Sequence, residues 1–189
     1  MRIISGTARG RKLAGFSGQK IRPTPDRVRE ALFSILSSRL GGFSGLRVLE
    51  LFAGSGALSL EALSRGAASA LLVDSSPQAL EVIQENITRC GCRSQAQVVR
   101  GEIPGILSKL PNPTPFDLIL LDPPYHCNLI PPVLQQIDCL QLLAVDGIIC
   151  AESASDETLS DYGGLRLLES RRYGSTTLHL FGRPAQNED

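Results

Sequence analysis

Residues 116–125 read Phe-Asp-Leu-Ile-Leu-Leu-Asp-Pro-Pro-Tyr, an apolar run that ends in a carboxylate, two prolines and a phenol. These residue types suit one kind of chemistry. An exocyclic amine on a flat ring is a poor nucleophile because its lone pair is delocalised into the ring. Asp122 can accept one N–H of such an amine and the Pro123 carbonyl can accept the other, which leaves the lone pair aimed at an electrophile. Asp122 can also help carry away the proton. Pro123 and Pro124 stiffen the backbone and remove N–H groups that would compete. Tyr125 offers a flat face on which a base can stack. The bland alternative is a proline-stiffened strand end with a surface tyrosine.

A second stretch, Val48-Leu49-Glu50-Leu51-Phe52-Ala53-Gly54-Ser55-Gly56-Ala57, places a glycine turn between an apolar strand and a helix. Glycines at 54 and 56 let the backbone turn sharply and approach a ligand closely. The helix start then offers free N–H groups. Asp74 ends the next strand, 20 residues after Gly54, where a carboxylate can accept from ribose hydroxyls. The third glycine of a dinucleotide fingerprint is missing, and Glu50 precedes the turn. An acid there repels a pyrophosphate and suits a ligand with a charged amino group, a ribose and no phosphate, such as S-adenosylmethionine. A tight turn with no ligand is the alternative.

The elements that must position these groups follow from periodicity. Arg2–Ser5 and Arg11–Leu13 read as short strand pieces of a basic hairpin or loop. Thr24 and Pro25 suit a helix start. Val28, Leu32, Ile35 and Leu36 continue that helix at helical spacing, and Gly41-Gly42 stops it. From residue 46, strands and helices alternate. Strands are predicted at "LRVLEL", "ALLVD", "AQVVRG", "FDLILLD" and "GIICAE". Helices are predicted over "GALSLEALSRG", "PQALEVIQENITRC" and "IPPVLQQIDCLQLL", with a short one near 104–110. "GLRLLESRRYGSTTLHLF" predicts an antiparallel hairpin about Gly174. This alternation predicts an α/β fold, a mostly parallel seven-stranded sheet covered on both faces. The first and fourth strands should be neighbours across the topological switch, so that the glycine turn and Asp122 face one crevice.

Composition bounds the rest. A chain of 189 residues, 42% hydrophobic and 20% charged, can bury a core and reads as globular. No run reaches membrane-spanning length and the N-terminus lacks a signal-peptide core, so a soluble cytoplasmic monomer is the expectation. Cys90, Cys92, Cys127, Cys139 and Cys150 are odd in number with no Cys-x-x-Cys, which argues against a disulfide framework and against a metal site. Net charge is zero, yet residues 1–30 hold eight Lys/Arg against two acids. A basic arm on an acidic body predicts contact with a polyanion, or else a solvated tail. His126 follows the motif and is expected to be structural rather than a general base.

Together "LFAGSGALSLEALSRGA" and Asp122-Pro123-Pro124-Tyr125 resemble the methyltransferases that act on base nitrogens. "RPTPDRVREALFSIL" and "RRYGSTTLHLF" resemble the RsmD family, and the resemblance runs from "MRIISGTARGRKL" to Phe181. It implies a Rossmann-like methyltransferase fold over residues 43–185, preceded by a basic hairpin and helix over 1–42 and followed by a tail at 186–189. It implies transfer of a methyl group from S-adenosylmethionine to a guanine N2 in 16S ribosomal RNA of the small subunit, with no metal and no obligate protein partner.

Carried onto this chain, the resemblance puts Phe52, Ala53, Gly54, Ser55 and Gly56 around the methionine end of the cofactor, near Glu50. Asp74, with Ser75 beside it, takes the ribose. Glu102 and Ile103 lie by the adenine, and Asp122, Pro123, Pro124 and Tyr125 meet the guanine. Arg9, Arg11, Lys12, Arg22 and Arg27 would meet RNA phosphates, and Arg22 and Arg27 can alternatively support the site wall. Two departures stand out: Glu102 occupies the place of an aspartate, and Phe33-Ser34-Ile35-Leu36 replaces Phe-Asn-Ile-Leu. The same catalytic core also serves DNA adenine and protein glutamine, and the fold alone permits a non-catalytic RNA-binding module.

Overall fold

In the computed structural model, which describes residues 1–16, 26–111 and 114–184, helix α1 spans Asp26–Leu40 and is followed by strand–helix alternation. The strands are β1 (Arg47–Leu51), β2 (Ser69–Asp74), β3 (Ala96–Arg100), β4 (Phe116–Leu121), β5 (Leu143–Ala154), β6 (Arg166–Tyr173) and β7 (Thr176–Gly182). The helices between them are α2 (Ala57–Ser64), α3 (Pro77–Cys90) and α4 (Ile130–Cys139). Sheet order is β3-β2-β1-β4-β5-β7-β6, parallel through β5, with β7 antiparallel to β5 and β6 antiparallel to β7. The seven-stranded Rossmann-like sheet and the pairing of β1 with β4 are as the alternation predicts. Among the described residues no helix is long and apolar enough to cross a membrane.

The strands are apolar on both sides because each face is covered. Val48, Leu118, Leu120, Ile148 and Cys150 point to one face, where they pack with Leu32, Phe33 and Leu36 of α1 and Leu60 of α2. Leu49, Leu51, Ile119, Leu121, Ile149 and Ala151 point to the other, against Val133, Leu134 and Ile137 of α4. Side chains alternate across a pleated strand. The acids that continue the first set, Glu50, Asp122 and Glu152, therefore share one face at the carboxyl ends of three adjacent strands.

Four details differ from the sequence reading. Arg2–Ser5 and Arg11–Leu13 form only one antiparallel bridge, Arg2 with Lys12. The ladder stops there because the N–H groups of Ile4 and Ser5 donate instead to Glu61 of α2, at 2.7 and 3.0 Å. The short helix near 104–110 shrinks to one 3₁₀ turn, Leu107–Lys109. The helix over "IPPVLQQIDCLQLL" stops at Cys139, where Gln141 takes a left-handed φ of 52°. Strand β5 is longer than "GIICAE", beginning at Leu143. Thr24 and Pro25, the expected start of α1, lie outside the described residues.

The N-terminal segment is built into the first face. Ile3, Ala8 and Leu13 are buried in the same cluster as Leu60 and Phe33. Ser64 of α2 accepts from the Ala8 N–H at 2.9 Å through its hydroxyl and from the Thr7 N–H at 2.8 Å through its carbonyl. Gly6, at φ 81°, allows this approach: a Cβ there would lie 1.7 Å from the Ser64 carbonyl oxygen. Glu61 is fully buried, and it also accepts from the Arg65 guanidinium at 2.7 Å. Glu61→Gln turns one acceptor oxygen into a donor facing N–H groups. It is expected to cost about 2–4 kcal/mol of unfolding free energy, read by urea denaturation at neutral pH.

Candidate active site

The site is assembled at the carboxyl ends of β1, β2, β4 and β5, where open α/β sheets bind ligands. Between β1 and α2 the chain turns within five residues. Phe52, Gly54 and Gly56 all have positive φ, at 60°, 54° and 73°. A Cβ on Gly56 would meet Leu72 Cδ2 at 2.8 Å, so the turn sits tight on β2. Ala53 is buried, while Phe52, Gly54 and Ser55 are half-buried. The Ala53 N–H donates to the Val73 carbonyl at 3.1 Å and the Gly56 N–H to the Ala53 carbonyl at 2.7 Å.

Two of the expected acids hold this turn. Asp74, at the tip of β2, accepts from the Gly54 N–H at 2.8 Å through one oxygen and from the Ser76 N–H at 2.9 Å through the other. Each carboxylate oxygen has a second lone pair for a ribose hydroxyl. Glu50 is buried under the turn and accepts from the Ser59 N–H at 2.9 Å, capping α2 from the neighbouring strand. Helix α2 has no cap side chain of its own, since its N-cap is Gly56. Burial pushes the Glu50 carboxyl up to about 7; hydrogen bonds from Ser59 and Leu58 oppose this and the charge of Asp74 adds to it.

Ser75 is half-buried beside Asp74. The Gly101 N–H donates to the Asp74 carbonyl at 3.1 Å, which brings the loop carrying Glu102 and Ile103 next to the tip of β2. Glu102 is exposed, and Ile103 leans on the second apolar cluster.

Asp122 follows β4 directly and so sits between Glu50 and Glu152 on neighbouring strands. Burial, and then the charges of Glu152 and Glu50, raise its carboxyl well above the ordinary carboxylate range. Pro123 is buried and Pro124 exposed. The Tyr125 hydroxyl donates to Glu152 Oε1 at 2.7 Å and also bonds the Thr176 hydroxyl at 2.9 Å. His126 presents an exposed ring, and its backbone N–H donates to Glu157 at 3.0 Å.

Glu152 and Thr176 escaped the sequence reading. The signal for Glu152 was present: an acid at the end of the apolar strand "GIICAE", in the same place as Asp122 on its own strand. Asn86 escaped it too. This buried α3 residue accepts from the Ala14 N–H at 2.6 Å and donates to the Ala14 carbonyl at 3.1 Å and the Ser55 carbonyl at 2.9 Å. It thereby ties the N-terminal segment to the glycine turn.

Arg9, Arg11, Lys12 and Arg27 are exposed, and Arg22 lies outside the described residues. Arg11 donates to the Arg89 carbonyl, and Arg89 donates to the Lys12 carbonyl at 3.3 Å, which lays the basic segment along α3. All five cysteines are free thiols. The chemistry of the residues at this crevice fits S-adenosylmethionine. A Cβ on Gly54 would enter open space beside the turn, with only the Phe52 carbonyl oxygen at 4.0 Å, and Glu50, Asp74 and Asp122 are acceptors for hydroxyl or cationic groups.

A family model described as conserved hypothetical protein 95 matches residues 1–182. YlbH of Bacillus subtilis is 36% identical over 183 residues, covering 96% of this chain and 98% of its own. Ribosomal RNA small subunit methyltransferase D of Escherichia coli is 33% identical over 189 residues, covering all of this chain and 92% of its own. The solved structure of yhhF from Escherichia coli is similar with a TM-score of 0.84 at 33% identity, over 98% of this chain and 99% of that one.

The carboxylate cluster has a thermodynamic signature. Folding raises the Glu50 pKa from 4.5 to about 7, so the folded state holds a proton that the unfolded chain releases first. This contribution to stability is complete below the unfolded value and is lost as pH rises through about 7. Glu50→Gln keeps an acceptor for the Ser59 N–H and removes the titration. Its unfolding free energy relative to the parent is expected to improve by about 1–3 kcal/mol between about pH 5 and pH 8. Denaturant titrations at the two pH values check this.

Proposed function

We propose that this chain, which belongs to the RsmD family, transfers a methyl group from S-adenosylmethionine to the exocyclic N2 of a guanine in 16S ribosomal RNA of the small subunit. The position of Asp122 carries the reading. It is a half-buried acid at the switch between β1 and β4, across the crevice from the glycine turn, and an aromatic ring is anchored beside it.

Glu50, Phe52, Ala53, Gly54, Ser55 and Gly56 hold the methionine end of the cofactor. Asp74 and Ser75 hold the ribose, and Glu102 and Ile103 flank the adenine. The bound cofactor supplies a sulfonium methyl that is already activated. The remaining work is positioning. The target base must leave any stack to reach the crevice. Asp122 and the Pro123 carbonyl accept the two N–H bonds of the amine and fix the direction of its lone pair. Pro124 keeps that segment rigid, and Tyr125 supports the base on its ring face. The raised proton affinity of Asp122 suits it to accept the proton that the amine must lose after transfer.

The basic segment of residues 1–42 serves as the RNA contact for the transfer domain over 43–185. Arg9, Arg11, Lys12 and Arg27 offer exposed positive groups along it, and Arg22 belongs to the same run of sequence. Phosphate contacts of this kind position the substrate without reading its sequence.

The first test uses radiolabelled S-adenosylmethionine with small ribosomal subunits from cells lacking the activity, followed by digestion and identification of the labelled nucleoside. N2-methylguanosine is expected. Label on another base, or only on DNA or protein, overturns the substrate. Asp122→Asn is expected to lower kcat by about 10²–10⁴-fold while S-adenosylhomocysteine affinity, measured by calorimetry, changes less than about threefold. The double variant Arg9→Ala/Lys12→Ala is expected to weaken RNA binding and to flatten its dependence on salt by roughly 0.7–0.9 per lost phosphate contact in the log–log slope. Filter binding over a salt series reads this out.

A further inference from the structure

The loop after β4 is tied to β5, the turn after it and β7 by hydrogen bonds from its backbone and from Tyr125. His126 and Asn128 both have left-handed φ values, 60° and 50°, a region that His and Asn enter more readily than most residues with a Cβ. Glu157 takes the His126 backbone N–H at 3.0 Å, and Glu152 takes the Tyr125 hydroxyl at 2.7 Å, with Thr176 of β7 on the same phenol oxygen at 2.9 Å.

These contacts constrain the Tyr125 ring at both ends. Pro123 and Pro124 restrict the backbone before it. Two hydrogen bonds hold the phenol oxygen, and the acceptor Glu152 is itself 6% exposed on an interior strand. With the Cβ end and the oxygen end both fixed, the long axis of the ring is set before any substrate arrives. A stacking platform fixed in advance spends no binding energy on ordering itself.

We propose that Glu152 is a positioning residue that fixes the long axis of the Tyr125 ring, and through it the place at which the target base meets Asp122. This rests on the base-methylating function proposed above. Glu152 acts through Tyr125, and its distance from solvent keeps the bond from being exchanged for water. Glu157 adds a second tether to the same loop, on the backbone rather than the ring. Thr176 completes the pair on the phenol. If the phenol donates to Glu152, the threonine hydroxyl donates to the phenol oxygen, so both protons have a place.

The test compares Glu152→Ala, Glu152→Gln, Tyr125→Phe and the double variant Glu152→Ala/Tyr125→Phe. Hydrogen exchange over residues 123–129, read without substrate, is expected to quicken in Glu152→Ala and to stay near the parent in Glu152→Gln, which keeps an oxygen acceptor. Unchanged exchange in Glu152→Ala overturns the inference, whatever the substrate proves to be.

Turnover is the second readout. Glu152→Ala and Tyr125→Phe are each expected to lose about 10–100-fold in kcat/KM for the RNA, with S-adenosylhomocysteine affinity within about twofold of the parent. The double variant should lose no more than the worse single, because both changes break the Tyr125–Glu152 bond. Glu152→Gln should recover most of the loss. Additive losses, or a Glu152→Gln variant as poor as Glu152→Ala, overturn the inference. A parent that labels no RNA while its loop exchange still depends on Glu152 refutes the proposed function and leaves the positioning role standing.

Discussion

Three adjacent parallel strands, β1, β4 and β5, each carry a carboxylate on the same face of the sheet near their carboxyl ends. Glu50, Asp122 and Glu152 are thus brought together in a crevice that water reaches poorly. Like charges in a dry place repel, and burial disfavours each ionised form further. The fold tolerates this because neighbouring donors are aimed at the acids. The Ser59 N–H meets Glu50, and the Tyr125 hydroxyl meets Glu152. The cluster is therefore predisposed to take a cation or the donor groups of a base, and to accept a proton.

The glycine turn and the N-terminal segment depend on the same arrangement. Glu50 reaches from β1 to cap α2, and α2 in turn offers Glu61 and Ser64 as docking points for residues 4–8. Asn86 then joins Ala14 to the Ser55 carbonyl. Each tie satisfies backbone groups that would otherwise be buried without partners. The basic segment is consequently part of the first apolar face rather than an appended arm, and its exposed arginines stand on a fixed base. Under the proposed function, that arrangement suits a surface that presents phosphate contacts at a set distance from a crevice.

The antiparallel pair β6 and β7 closes the far side. Its contribution to the site is one hydroxyl, Thr176, at the first position of β7. Beyond that it caps the edge of the sheet with Glu169 paired to Arg39 of α1 at 2.8 Å and to Arg171. These exposed pairs add little to stability individually, and they discourage another strand from pairing at the edge.

Local pattern was enough to determine the order of elements, the glycine turn, the acids Glu50, Asp74 and Asp122, and the Asp-Pro-Pro-Tyr set. Each of these is written within a few residues of sequence, as a period, a backbone requirement or a change of residue type at a strand end. Strand adjacency decided the rest. Glu152 belongs to the site because β5 lies beside β4, and Thr176 because β7 lies beside β5. Residues 2–5 and 11–13 look like a hairpin in isolation, yet Glu61, 57 residues beyond Ile4, takes the N–H groups that a ladder would need. Such pairings join residues far apart in the chain. They form only when packing brings the partners within hydrogen-bond reach, and no short stretch of sequence records that event.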